Sequence, residues 1–178
     1  MITSAATAGD TDTVRSDNGR DIGLLLIRVV AGLTMAAHGT QYLFGWFGGG
    51  GLAGTAKFFA STGYRAADLM AVIAGLSETF GGLGLAVGLL TPLAGAAVVG
   101  TMINAMAVKW SGGFFAPRGV EYELLMATVA AAIAITGPGR FAADRAVPLL
   151  RTHRLASGAG AVALGVVIAA GTLLLFRS

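Results

Sequence analysis

Apolar residues fall into five long runs, separated by short segments that are rich in glycine or polar residues. A helix that crosses a bilayer needs ~20 mostly apolar residues. The runs occupy residues 22–44, 69–90, 92–108, 122–136 and 155–176, and the third and fourth reach that length only with flanking residues. The pattern therefore predicts an all-α polytopic membrane protein with five transmembrane helices.

The segments around these runs indicate three regions along the chain. Residues 1–21 are small and polar, so we expect a disordered cytoplasmic tail there. Residues 22–145 hold four spans, and the glycine-rich segment 45–68 among them is expected at the membrane surface, because glycine runs form no lipid-facing helix. In that segment "LAGTAKFFAST" predicts a short interfacial helix, anchored by Trp46, Phe58 and Phe59. Residues 146–178 form a basic linker and the fifth span.

The composition agrees with membrane insertion and excludes several kinds of binding and redox chemistry. Hydrophobic residues make up 55% of the chain and charged residues 12%, against ~25% charged residues in soluble domains. The net charge of +3 does not indicate nucleic-acid binding, because the basic residues are scattered between apolar spans. The chain has no cysteine, which excludes disulfides, thiolate metal sites and thiol redox chemistry within it.

Basic residues at the ends of the spans predict the orientation. A cytoplasmic N-terminus places six Lys or Arg residues in the cytoplasm and five on the opposite side. The arginines of segment 140–154 favour that choice, because cytoplasmic loops carry an excess of basic residues. We therefore expect the N-terminus inside and the C-terminus outside.

Three polar residues interrupt the apolar spans at depth. Counting ~1.5 Å of rise per residue places Arg28 ~9 Å and both Glu78 and Asn104 ~18 Å from the cytoplasmic edge. A charged side chain at such depth needs a partner, protonation or a wet cavity, and marks a functional site by default. We predict an Arg28–Glu78 pair with Asn104 as a hydrogen-bonding neighbour. Glu78 is the candidate catalytic residue, although the pair could equally be structural, Arg28 could extend to the interface, and Asn104 could only join helices.

A second polar group is predicted at the outer mouth of the bundle. The candidate ligand-binding residues there are His38, Gln41, Lys109, Glu121 and Glu123, with Tyr42, Trp110 and Tyr122 beside them. A solvated rim with an aromatic belt accounts for them as well as a binding mouth does. No metal site is predicted, because the two histidines, His38 and His153, fall on opposite sides of the bilayer.

The ordered motifs resemble the DoxX family of small bacterial membrane proteins. They are "LLLIRVVAGLTMAAHG", "GLAGTAKFF", "GLSETFGGLGLAVGLLTPLAG", "EYELL" and "GPGRFAADR", together covering residues 24–144. The resemblance implies a four-helix core in the bacterial cytoplasmic membrane, with the fifth helix as an addition. It also implies a relation to the membrane subunit of thiosulfate:quinone oxidoreductase, and to a membrane oxidoreductase complex that protects mycobacterial relatives against oxidative stress.

Three functions follow from the residues and the resemblance together. The first is a membrane subunit or scaffold of a redox-linked complex, with partner proteins and a homo-oligomer as expected assemblies. The second is a quinone-binding catalytic subunit, in which Glu78 exchanges protons while Arg28 or His38 holds the ligand, because quinone reduction consumes protons. The third is a small transporter or channel.

Overall fold

Helix boundaries in the structure follow the apolar runs closely. The computed structural model describes residues 8–177, with side chains from residue 18 onward. Its six α-helices are α1 (Ala8–Phe44), α2 (Gly51–Ser61), α3 (Ala67–Val87), α4 (Thr91–Lys109), α5 (Glu121–Thr136) and α6 (Leu155–Phe176). The all-α fold is thus confirmed, and α2 coincides with the short helix expected between the first two spans.

Four helices have the length and composition of a membrane span. Among the described residues, these four are Asn18–Phe44 of α1, α3, α4 extended to Gly112, and α6. The two remaining helices are α2, with 11 residues, and α5, with 16 residues, and both are shorter than the ~20 that a span requires. α5 nevertheless leads the chain back from the distal end of α4 to the proximal start of α6. The protein is therefore a multi-pass membrane protein, and α5 is the shortest helix that runs between the two ends of the bundle.

The first helix begins earlier than the sequence predicts. Residues 8–21 belong to α1, so a disordered tail to residue 21 is wrong for this stretch, and residues 1–7 lie outside the described residues. The polar residues are held by the segment after α5. The Asn18 side-chain oxygen accepts a hydrogen bond from Arg140 Nη1 at 2.9 Å, and Asp21 Oδ1 accepts one from the Arg140 backbone N–H at 3.1 Å.

The helices run antiparallel and give the bundle two distinct ends. The proximal end holds the start of the apolar part of α1, the turn 88–90 and the segment 137–154. The distal end holds segments 45–66 and 110–120 and the end of α6. At the distal end the backbone N–H of Arg65 donates to the Phe176 carbonyl at 2.6 Å, and Arg177 Nε donates to the Thr62 carbonyl at 3.2 Å. These bonds tie the end of the chain to the turn before α3.

Glycines let α1 and α3 approach until their backbones touch. A Cβ added at Gly82 would meet the backbone of Ala36 and Gly32, and one added at Gly39 would meet the backbone of Thr79. Small residues at such spacing allow close contact between membrane helices. The contact also fixes the register of the two helices, because Gly32 must face Gly82.

The last helix packs into the bundle and is no peripheral addition. It lies against α4 and α5, with Gly165 on the backbone of Ala96 and Gly158 on the backbone of Ala134. α2 lies across α1 and α3 at the distal end. Of the three expected membrane anchors, Trp46 and Phe58 are exposed and Phe59 is half-buried, and both phenylalanines also line the cavity described below.

Candidate functional site

Arg28 does not pair with Glu78. Arg28 is 2% exposed, and its guanidinium donates to the carbonyl oxygens of Val87, at 3.4 Å, and Phe141. The register of α1 on α3 places Arg28 beside Gly88, which is ten residues beyond Glu78 on α3. Ten residues correspond to ~15 Å along a helix, which exceeds the reach of an arginine. The predicted pair is therefore wrong, because helix register rather than distance from the membrane edge decides the contact.

The anion near Arg28 is Asp144, in the segment after α5. This buried carboxylate interacts electrostatically with Arg28 and also caps α4. Its two oxygens accept hydrogen bonds from the Leu90 N–H at 2.7 Å, the Thr91 N–H at 3.1 Å and the Thr91 hydroxyl at 2.8 Å. Sequence reasoning missed this role, although Asp144 lies in the "GPGRFAADR" motif. Arg28 and Asp144 thus join three segments of the proximal end.

A cavity of about 420 Å³ lies inside the bundle, and its lining on α4 extends from Lys109 at the distal end to Leu93 near the proximal end. Its lining is mainly apolar and comes from all six helices. Ligand sites of ~300–1,000 Å³ with an apolar lining and a few convergent polar groups are typical of small-molecule binding. The polar lining residues are His38, Tyr42, Tyr64, Ser77, Glu78, Thr101, Asn104, Lys109, Tyr122, Glu123 and Thr172.

Two buried carboxyl groups dominate the electrostatics of this cavity. Glu78 is 4% and Glu123 is 3% exposed, and they interact with each other electrostatically. Lys109 Nζ lies 2.5 Å from Glu123 Oε1, and its side chain is 39% exposed. Within the described part of the chain, Oε2 of Glu78 and Oε2 of Glu123 have no hydrogen-bond partner. The site therefore combines two carboxyl groups, one ammonium and unused acceptor atoms.

Aromatic side chains enclose the carboxyl groups. The rings of His38 and Tyr122 lie 5.5 Å apart between centroids, and the Tyr122 hydroxyl donates to Met35 Sδ at 3.8 Å. Tyr42 and Tyr122 both interact electrostatically with Glu78. These rings offer flat apolar surfaces with polar tips, an arrangement that suits an aromatic or quinoid ligand.

Tyr64 closes the distal end of the cavity, and sequence reasoning missed it. Its hydroxyl donates to Asn104 Oδ1 at 2.9 Å, while Asn104 Nδ2 donates to the Gly100 carbonyl at 3.0 Å. The Arg177 guanidinium lies 5.9 Å from the Tyr64 ring centroid. Burial raises the pKa of Tyr64, and the positive charge of Arg177 opposes that shift. No local pattern marks a tyrosine in a polar turn as part of a cavity in the bundle.

The structure brings together five of the eight predicted site residues. His38, Glu78, Asn104, Lys109 and Glu123 line the cavity. The other three lie elsewhere. Arg28 is at the proximal end, Gln41 donates to the Phe47 carbonyl at 3.3 Å, and Glu121 accepts from the Ala116 N–H at 2.9 Å. Binding by the five cavity residues stays a prediction.

The comparisons with known proteins identify the family of this chain. A family profile described as DoxX matches residues 23–111, the part of the chain that contains Arg28, Glu78 and Asn104. The chain belongs to the DoxX family. It is 31% identical over 125 residues to a Bacillus subtilis (strain 168) protein named "Putative oxidoreductase CatD". The aligned residues make up 70% of this chain and 86% of that protein. No solved structure matches at a significant level.

The DoxX match is shorter than the resemblance in sequence motifs suggests. It ends at residue 111, not at 144, so α5, α6 and Asp144 lie beyond it. In this DoxX protein the cavity is nevertheless completed from that unmatched part. Tyr122 and Glu123 come from α5, and α6 supplies one wall.

Proposed function

We propose that this DoxX protein is the quinone-binding membrane subunit of a redox-linked complex in the bacterial cytoplasmic membrane. The observation that carries the proposal is the pair of buried carboxyl groups, Glu78 and Glu123, in a mainly apolar cavity of about 420 Å³. The printed name of the Bacillus subtilis relative, which includes the word oxidoreductase, supports the redox part. Because the chain has no cysteine, thiol redox chemistry in the complex belongs to a partner protein.

The residues present fit such a ligand. A quinone ring is flat and largely apolar, with carbonyl oxygens at its edge, and matches rings such as His38 and Tyr122 flanked by polar atoms. The unpartnered Oε2 atoms of Glu78 and Glu123 provide hydrogen-bonding capacity that the protein leaves unused. A bound quinone would supply two-electron, two-proton redox chemistry, with the electrons delivered by a partner.

The side chains of this protein would hold and move the protons. Glu78 lies deepest, so its carboxyl group is the proposed proton donor and acceptor toward the ligand, through Oε2. Glu123 interacts with Glu78 on one side and contacts Lys109 on the other. Since Lys109 is partly exposed at the distal end, these three groups form a proposed proton route between that surface and the cavity. With the proximal end assigned to the cytoplasm by its arginines, the route opens on the outer side.

The direct test is equilibrium binding of a tail-less tetramethylbenzoquinone to the purified protein by isothermal titration calorimetry. Glu78→Met removes the polar group at similar volume, and Glu121→Met is the matched control outside the cavity. Losing one hydrogen bond of ~1.4 kcal/mol weakens affinity about tenfold. We therefore expect tenfold weaker binding for Glu78→Met and wild-type binding for Glu121→Met. Equal affinities in all three proteins, or no binding to the wild type, would overturn the proposal. Solute flux in liposomes containing the chain alone would instead support a transporter.

A scaffold role in the same complex is the second candidate, supported by the basic surface of the proximal end. Arg140, Arg145, Arg151 and Arg154 are all exposed there, next to Leu149, which is 90% exposed. Changing these four arginines to glutamine should release the protein from its complex on mild detergent extraction, as seen by a smaller native mass. The same change at Lys57 and Arg65, which are exposed at the distal end, should leave the mass unchanged. Unchanged mass in both variants contradicts docking through this surface.

A further inference from the structure

The cavity is elongated and has a polar half and an apolar half. On α4 its lining extends from Leu93 to Lys109, which corresponds to ~24 Å of helix. The polar side chains, such as Glu123 and Asn104, belong to the distal half. Toward the proximal end the lining consists of apolar and small residues, including Leu93, Ala96 and Leu164. A ligand that fills this space therefore has a polar head and an apolar chain.

One side of the cavity opens toward the lipid. α6 packs on α4 and α5, whereas its contact with α3 is slight in the described part of the chain. Ile73 of α3 and Ile168 of α6 both line the cavity, and they are 46% and 59% exposed on the outside of the bundle. Leu93 and Leu164 also line the cavity and are also exposed. The cavity is partly open, and the side chains that both line it and are exposed mark the side on which it opens. The surface of these spans faces the bilayer.

The volume of the cavity also requires an exit for a long ligand. At about 420 Å³ it lies near the lower limit of the ~300–1,000 Å³ that holds a drug-sized molecule. A ring with a short substituent fills such a space, and a lipid-length chain does not fit inside it. The chain must leave the bundle through an apolar opening, because polar surface would not solvate it.

We propose that the gap between α3 and α6, bordered by Ile73 and Ile168, is a lateral portal through which an alkyl- or isoprenoid-tailed quinone enters from the bilayer. This inference rests on the proposed function, since it takes the quinone ring to occupy the polar half beside Glu78 and Glu123. The tail then passes into the lipid between the two isoleucines, which lie in the distal halves of α3 and α6. The Tyr64–Asn104 hydrogen bond and the contacts of Arg177 close the distal end of the cavity. An apolar tail therefore leaves through the gap between α3 and α6 and not through the distal end.

The experiment compares two benzoquinone probes that differ only in a decyl tail. Binding is measured by calorimetry in lipid nanodiscs, with the heat for empty nanodiscs subtracted. Ile168→Trp fills the portal, and Val167→Trp is the matched control, because Val167 is exposed on α6 and does not line the cavity. We expect the wild type to bind the tailed probe at least tenfold more tightly than the tail-less one. Ile168→Trp should lose that preference while keeping its affinity for the tail-less probe, and Val167→Trp should keep both.

The possible outcomes separate the portal from the proposed function. If the wild type binds neither probe, the proposed function fails. If it binds both equally, or if Ile168→Trp keeps the preference for the tailed probe, the portal is wrong and the quinone site stands. Ile73→Trp tests the same opening from α3, with Phe80→Trp on the outer face of α3 as its control, in case Ile168→Trp does not fold. Loss of tail preference in both Ile73→Trp and Phe80→Trp would also overturn the portal.

Discussion

The isosteric substitutions Asp144→Asn and Glu78→Gln should differ strongly in their effect on folding. Asp144 provides the anion near the buried Arg28 and accepts three hydrogen bonds at the start of α4. Glu78 lies beside another carboxyl group, and its Oε2 has no hydrogen-bond partner among the described residues. Neutralising Asp144 therefore removes favourable interactions, while neutralising Glu78 removes repulsion.

The expected magnitudes follow from these surroundings. Removing one partner of a buried charge pair costs ~3–5 kcal/mol, because the remaining charge stays buried. We take the lower end, about 3 kcal/mol, for Asp144→Asn, since Arg28 keeps its bonds to two carbonyl oxygens and asparagine keeps one acceptor. For Glu78→Gln we expect a change below about 1 kcal/mol, because the cost of desolvating a charged carboxylate is lost together with its charge.

The assay is reversible unfolding in mixed micelles, with the helical circular dichroism signal recorded against the mole fraction of denaturing detergent. Wild type, Asp144→Asn and Glu78→Gln are compared at one pH and one lipid content. A loss of stability in Glu78→Gln equal to that in Asp144→Asn would refute the reasoning. It would mean that Glu78, like Asp144, makes favourable interactions that its neutralisation removes.

Two further predictions concern helix packing and the distal closure. Gly82→Ala should destabilise the protein by several kcal/mol in the same unfolding assay, because the new Cβ meets the backbone of α1; Gly23→Ala, where a Cβ meets nothing, should have no such effect. Burial raises the pKa of Tyr64, so the folded state keeps its phenol proton above the ordinary value of 10.0. Because the pKa is higher in the folded state than in the unfolded state, protonated Tyr64 contributes fully to stability below pH 10.0. That contribution is lost as the pH rises through the higher folded pKa. Ultraviolet titration should show one late-ionising tyrosine fewer in Tyr64→Phe, and an unchanged alkaline titration would contradict the burial argument.

The spans were predictable because apolarity is a local property of the sequence. The fifth run, 155–176, agrees with α6 at both ends, and α3 and α4 agree to within three residues. The start of α1 was not predictable in the same way. Polar residues such as Asn18 and Asp21 lack the apolar pattern, and bonds from Arg140, more than a hundred residues away, hold them in place.

The site was only partly predictable, because depth along a helix can be counted and helix register cannot. Counting placed His38, Lys109 and Glu123 at one level, and they do line one cavity. It failed for Arg28 and Glu78, because glycine contacts between α1 and α3 set the register. The wall formed by α6 had no sequence signal at all, since the residues that α6 contributes are mostly apolar or small and look like any lipid-facing helix.

The two buried polar layers differ in charge balance, and this difference supports the proposal that the distal layer is the ligand site. In the proximal layer, the cation of Arg28 is accompanied by the anion of Asp144, and both groups bind backbone atoms of neighbouring segments. Such an arrangement stabilises a fold and leaves little for a ligand to add. In the distal layer, Lys109 pairs with Glu123, and Glu78 and Glu123 each have an oxygen without a hydrogen-bond partner among the described residues. Since a well-packed apolar residue would stabilise a membrane bundle better than a second buried carboxyl group, stability does not account for Glu78. The proposed exchange of protons with a ligand would account for it.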